Sequence, residues 1–192
     1  MGEAAADRGG PRTVGVLALQ GGFEAHEKIL KALDAEPREV RVPKDLEGLD
    51  ALIIPGGEST VMTLGIEREG MAEPLRALAT GGTPVLGTCA GMIMLDRDHL
   101  GVLDIGTARN AFGRQLRSFE AELELDGIGP LRAVFIRAPW VTEHGDGVEV
   151  LARVDEHPVA VRQGNVVAVA FHPELAGETR LHELLLGMNG SR

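Results

Sequence analysis

The chain has 192 residues, of which 44% are hydrophobic and 25% charged, with a formal net charge of −10 and a single cysteine. That length suits one substantial core. The unclustered basic residues exclude nucleic acid as a main partner, since phosphate binding needs a concentrated cationic surface. One cysteine excludes an internal disulfide framework and fits the reducing cytoplasm, and no apolar run approaches the roughly 18 residues that span a bilayer, so no membrane is implied.

Residues 1–12 carry neither an apolar signal core nor the Ser/Thr of a myristoylation site, and read as a mobile tail before a single domain over 13–190. Val14–Leu19 is a continuous apolar run, the mark of a strand covered on both faces. Glu24–Leu33 has helical spacing, with Ile29, Leu30 and Leu33 as its apolar stripe. Strands follow at Glu39–Val42 and Ala51–Ile54, helices at Thr60–Leu64 and Met71–Ala79, and a strand at Pro84–Gly87 that leads into a further helix past Cys89. Beyond residue 115, Ser118–Leu125, Ala133–Ile136, Val148–Val154, Val159–Arg162 and Val166–Phe171 read as strands joined by short turns, and Thr179–Met188 as an amphipathic helix. The pattern predicts an α/β fold: a three-layer open sheet, mainly parallel, with antiparallel additions in the second half. Ligands in such sheets collect at the carboxyl ends of the strands.

Three strand-end segments carry residue types suited to chemistry. Gly87-Thr88-Cys89-Ala90-Gly91 has the spacing of a nucleophile elbow. A sharp strand-to-helix turn exposes the thiol, the helix N-terminus favours a thiolate, and the amide of Ala90 can face an oxyanion. A buried cysteine among close-packed glycines reads equally well from these five residues alone. His172-Pro173-Glu174 ends an apolar run. Proline favours an extended residue before it, and on an extended chain residues two apart point the same way. That supplies a base and an orienting carboxylate, although a proline-started helix would also explain it. The other histidines, His26, His99, His144, His157 and His182, read as surface or helix-face residues. Pro55-Gly56-Gly57-Glu58-Ser59 is either a loop that turns a Gly57 amide towards a ligand or a plain turn in which Ser59 caps the next helix. No phosphate loop is present, and no group of residues has metal-ligand spacing. Together these segments predict attack of a thiolate on a carbonyl, followed by hydrolysis of an acyl-enzyme.

VGVLALQGG at 14–22, PGGEST at 55–60, GTCAGM at 87–92, RNAFGRQ at 109–115, SFEAEL at 118–123, VFIRAPW at 134–140 and AFHPEL at 170–175 resemble the glutaminase subunits of pyridoxal 5'-phosphate synthase, within the class I, triad-type glutamine amidotransferases. The resemblance runs from about residue 13 to 188. It implies Cys89 as nucleophile, His172 as general base and Glu174 as its orienter. It places L-glutamine against Gly57, Glu58 and Ser59, with Arg109, Ile136 and Arg137 completing the pocket and Gly57 and Ala90 as oxyanion donors. No cofactor is implied. Ammonia would pass to a separate synthase subunit in a large heteromeric complex, with docking rearranging the oxyanion loop. Gln20 belongs, by the same resemblance, to the partner interface and carries no catalytic role. The chain departs from its relatives between Cys89 and Arg109, where it is shorter, and in having Ala108 before that arginine. The alternatives are the glutaminase of another biosynthetic amidotransferase and a non-catalytic regulatory partner.

Overall fold

A computed structural model describes residues 10–113 and 118–188. Residues 1–9 of the expected tail, Arg114 and Gln115 of the RNAFGRQ motif, and residues 189–190 of the expected domain lie outside the described residues.

Seven strands form the main sheet: β1 (Thr13–Leu17), β2 (Glu36–Val40), β3 (Ala51–Ile54), β4 (Val85–Thr88), β9 (Glu149–Val154), β10 (His157–Gln163) and β11 (Val166–Val169). Their order is β2-β1-β3-β4-β11-β10-β9. The pairs from β2 to β11 are parallel, and β10 and β9 are added antiparallel. The short apolar runs ALII in β3 and VVAV in β11 are buried at every position, as central strands covered on both faces require.

The helices are α1 (Phe23–Ala32), α2 (Ser59–Arg68), α3 (Ala72–Thr80), α4 (Ala90–Leu95) and α5 (Arg180–Gly187). From β1 the chain crosses outward to β2, and from β3 it crosses the other way to β4. Right-handed crossovers therefore put α1 on one face of the sheet and α2 and α3 on the other. α5 joins the face of α1, to which a contact between His26 and His182 ties it, and α4 packs on β3, β4 and β11 beside α2.

Two antiparallel ribbons complete the chain: β5 (Ile105–Ala108) with β8 (Trp140–His144), and β6 (Ser118–Leu125) with β7 (Gly129–Ile136). The first ribbon was not expected from the sequence. IGTA and WVTEH show no apolar alternation because neither strand has a fully covered face. β2 starts three residues earlier than expected and includes Pro37, which an edge strand tolerates. α2 runs past Leu64 through Gly65, whose hydrogen face lies against the side chain of Leu19. The segment after Cys89, expected to be short, is closed by Asp96. Its buried carboxylate accepts hydrogen bonds from the amides of Asp98 and His99, from the His99 ring and from Thr107 Oγ1, which braces the turn over residues 96–104 between the six-residue α4 and β5.

Candidate active site

β4 ends at Thr88 and α4 begins at Ala90, so Cys89 alone makes the corner. Its backbone sits at φ 48° and ψ −108°, where non-glycine residues are strained by about 1–3 kcal/mol. The corner is held by its amide, which donates to Val169 O at 2.8 Å. The flanking glycines are steric necessities. A Cβ on Gly87 would stand 2.8 Å from Gly91 O, and one on Gly91 would stand 2.0 Å from Ile54 O. The thiol lies 3.9 Å from Ile136 O.

β11 is the parallel neighbour of β4, with Val169 opposite Thr88, so the chain leaving β11 emerges beside Cys89. The amide of His172 donates to Val134 O at 2.8 Å, which pins this exit to β7. His172, at φ −108° and ψ 89°, stops short of the extended backbone expected before proline, and Pro173–Leu175 is a turn of 3-10 helix rather than a continuing strand. That turn, not the two-residue repeat of a strand, brings Glu174 Oε1 to 2.6 Å from His172 Nδ1. The His172 ring and Cys89 line the same cavity. Burial alone would lower the pKa of His172, but its interactions with Cys89 and Glu174 outweigh burial and push it up to about 10. Burial likewise opposes ionisation of Glu174, yet the hydrogen bond from His172 and the neighbouring imidazoles hold its pKa below the ordinary carboxylate value. The arrangement is an imidazole held between the Cys89 side and a buried carboxylate.

Two histidines expected as surface or helix-face residues lie buried behind this triad. His26 and His182 are both 0% exposed. His26 Nδ1 is 2.9 Å from His182 Nε2, and His26 Nε2 is 3.5 Å from Glu174 Oε2. Burial lowers the pKa of His26 to about 4 and that of His182 to about 3, so both are neutral at pH 7. His99 is also largely covered, by its bond to Asp96. His157 stacks on Trp140 at 3.5 Å between ring centroids.

In front of the triad lies a cavity of about 300 Å³, at the small end of the range for small-molecule pockets. Cys89, Ala90 and His172 form one wall, and Gly57, Glu58, Ser59, Arg109, Ile136 and Arg137 all reach it. Glu174 does not; it stands behind His172. Ala90 is the first residue of α4, so its amide has no carbonyl to meet within the helix. Glu58, not Ser59, caps α2, accepting from the amide of Thr60 at 3.2 Å. Arg109 Nη1 donates to Thr60 Oγ1 at 3.0 Å, which ties the far side of the cavity to the same helix. Two cavity residues besides Cys89, Asn110 and Arg137, have positive φ, at 48° and 44°.

Sequence reasoning missed Gln20 here. Its Oε1 accepts the amide of Glu58 at 2.7 Å, and the loop is pinned again by Gly22, whose amide donates to Gly56 O at 3.0 Å. Gln20 therefore lines the cavity and braces the Gly56–Glu58 loop. The adjoining glycines were the available signal: a Cβ on Gly21 would lie 2.0 Å from Gly56 O, so LQGG and PGGE need glycine where they cross.

A doubly covered parallel sheet with a strained thiol at one strand end and an imidazole–carboxylate pair at the next defines an elbow-type cysteine hydrolase site. The chain belongs to the SNO glutamine amidotransferase family, whose profile matches residues 16–189. It is 53% identical to the pyridoxal 5'-phosphate synthase subunit PdxT of Pelotomaculum thermopropionicum over 182 residues, 90% of this chain and 93% of that protein. It is also 53% identical to the PdxT subunit of Thermus thermophilus over 186 residues, 92% of this chain and 97% of that protein. A crystal structure of glutamine amidotransferase superposes with a TM-score of 0.86 at 48% identity, covering 91% of this chain and 97% of the other. The structure of PurLQS from Thermotoga maritima, at 20% identity and a TM-score of 0.72 over 92% of this chain and 98% of that one, shares the fold.

Proposed function

We propose that the protein hydrolyses L-glutamine to L-glutamate and ammonia at Cys89 and delivers the ammonia to a pyridoxal 5'-phosphate synthase subunit, in a heteromeric complex that makes vitamin B6. The observation that carries the chemistry is His172, hydrogen-bonded to Glu174 and lining the cavity together with Cys89. Identity of about one half to PdxT subunits across nine-tenths of the chain supports the substrate and the partner.

In this reading the thiolate of Cys89 attacks the carboxamide carbon of glutamine. The oxygen takes up negative charge facing the amides of Ala90 and Gly57. His172 gives its proton to the departing nitrogen as the C–N bond breaks, leaving a thioester and ammonia. It then takes a proton from water, which attacks the thioester, and glutamate leaves as Cys89 is restored. Glu174 keeps Nδ1 of His172 protonated and its ring oriented throughout. Arg109 and Arg137 offer cations for the α-carboxylate of glutamine, and Glu58 an anion for its α-ammonium. Ser59 and Ile136 shape the remaining wall. The active unit is one glutaminase domain over 13–190, and its compartment is the cytoplasm. The lone free cysteine supports that placement, and no described helix is long and apolar enough to cross a membrane.

Glutamate release by the purified chain, alone and with its cognate synthase subunit, tests the proposal, with Cys89→Ala as blank. Turnover that appears or rises with the synthase and vanishes in Cys89→Ala is expected. Unchanged turnover in that variant overturns the nucleophile. Binding to a different acceptor enzyme with no effect of the synthase overturns the partner.

A further inference from the structure

Glu174 spends only one of its two oxygens on His172. Oε1 takes the 2.6 Å bond to Nδ1, while Oε2 is buried and has no hydrogen-bond partner within ordinary range among the described residues. A carboxylate held by one oxygen can swing about its last bond and carry the imidazole out of line. His26 Nε2 stands 3.5 Å from the second oxygen, a distance that a small rotation of either side chain closes. The same nitrogen lies 3.3 Å from Oγ1 of Thr88, the residue before the nucleophile.

His26 and His182 occupy the apolar stripes of α1 and α5, beside Ile29 and Leu30 on one helix and Leu181 and Leu185 on the other. Packing alone would favour leucine or isoleucine at such positions. Instead two neutral imidazoles meet at 2.9 Å, and one must donate while the other accepts. If the proton between them sat on His26 Nδ1, the bare lone pair of its Nε2 would face the carboxylate, with the Thr88 hydroxyl at 3.3 Å left to donate to it and Glu174 Oε2 still without a donor. If His182 Nε2 donates instead, His26 Nδ1 accepts and His26 carries its proton on Nε2, aimed at Glu174.

We infer that His26 is a positioning residue, donating from Nε2 to Glu174 Oε2 so that the carboxylate cannot swing away from His172, and that His182 sets the tautomer of His26 that makes this possible. The triad is then the front of a continuous row, Cys89–His172–Glu174–His26–His182, which couples the elbow to the helices covering the opposite side of the sheet. This inference rests on the glutaminase reading of the site only for its kinetic consequence.

Two measurements test it. The first is ¹⁵N-resolved NMR of the histidine rings in the wild-type chain, with His26 assigned by loss of its signal in His26→Gln. We expect His26 neutral between pH 6 and pH 8 with Nε2 protonated and Nδ1 bare; a proton on Nδ1 overturns the inference. The second compares two polar substitutions in glutamate release with the cognate synthase. The amide of His26→Gln reaches the place of Nε2 and should hold kcat within about threefold of wild type. The amide of His26→Asn ends at the place of Nδ1, keeps His182 and cannot reach Glu174. Its kcat should fall about tenfold or more, because misplacement by a fraction of an ångström is costly in catalysis, with KM unchanged in both variants. Equal kcat in the two variants overturns the positioning role. Absence of glutamate release from the wild type refutes the glutaminase reading instead, and the tautomer of His26 then decides this inference alone.

Discussion

Gly56→Ala puts the geometry of the triad under a direct test. A Cβ at that position would lie 2.4 Å from His172 Cε1, 3.0 Å from Nδ1 and 3.2 Å from Cys89 Cβ. Gly56 does not lie in the left-handed region, so alanine adds no backbone strain and the effect falls on the imidazole. Carbon atoms pack at about 3.5–4.0 Å, and relief therefore requires the ring to retreat by about 1 Å. The ring cannot do so freely, since its Nδ1 is held at 2.6 Å by Glu174 and its backbone amide by Val134. Retreat lengthens the contact with Cys89, the bond to Glu174, or both. A misplacement of about 1 Å costs on the order of a hundredfold in rate, equivalent to about 2.7 kcal/mol on the barrier. The assay is steady-state glutamate release in the presence of the synthase subunit, with a melting curve for each protein. We expect kcat to fall about a hundredfold with KM and melting temperature little changed. If the loop moved instead, the bond from Gly22 to Gly56 O would break and KM would rise with the cavity wall. A kcat within threefold of wild type would refute the placement of His172 against this loop.

Two further outcomes concern stability. Gly91→Ala improves helix propensity by roughly 0.5–1 kcal/mol in an ordinary helix, but here the Cβ meets Ile54 O at 2.0 Å. A backbone atom cannot swing aside, so overpacking of about 3 kcal/mol or more wins; a melting temperature equal to or above wild type would contradict the elbow packing. The buried histidine pair makes the fold acid-sensitive. Their folded pKa values of about 4 and 3 lie below the unfolded value of 6.5, so the unfolded chain takes up protons first as pH falls. The stability they contribute is complete above pH 6.5 and is lost progressively as pH drops towards those folded values, by about 2 kcal/mol for the pair between pH 7 and 5.5. Urea midpoints at the two pH values should show this loss, and the double variant His26→Gln/His182→Gln should flatten it. An unchanged pH dependence in that variant rules out the pair as its source.

What the sequence revealed was what sterics write into spacing. GTCAG announces an elbow because only glycine clears Ile54 O and the Gly87–Gly91 crossing, and continuous runs such as ALII announce doubly covered strands. His172-Pro173-Glu174 was found for a reason that was only half right: the residues converge, but through a 3-10 turn. The burial of His26 and His182 was not legible, because a histidine on an amphipathic helix gives no sign of which neighbour its ring meets. Their positions on the apolar stripes, next to Ile29 and Leu181, were the clue available. The partnership of Gln20 with the Glu58 amide joins residues 38 apart and leaves no local trace. The β5–β8 ribbon escaped because pairing, not side-chain pattern, defines it.

The scarcity of aromatic residues explains how the separate walls of the cavity are held in register. The chain has five phenylalanines, one tryptophan and no tyrosine, and five of these six gather beside the site. Phe112 follows Arg109 and Asn110, Phe119 is the second residue of β6, Phe135 precedes Ile136 and Arg137, and Phe171 precedes His172. Phe135 stacks on Phe119 at 4.5 Å between centroids and meets Phe112 and Phe171 edge-on at 5.5 Å each. Phe112 also meets Trp140 edge-on at 5.2 Å. Aromatic pairs of this geometry add about 0.5–1.5 kcal/mol each beyond the area they bury. Three cavity segments that come from distant parts of the chain are thus each anchored, one residue to three residues away, in a single aromatic cluster. Cys89 is positioned by the glycines of its own strand-to-helix corner. Arg109, Arg137 and His172, which face the same cavity from other elements, are positioned by these rings.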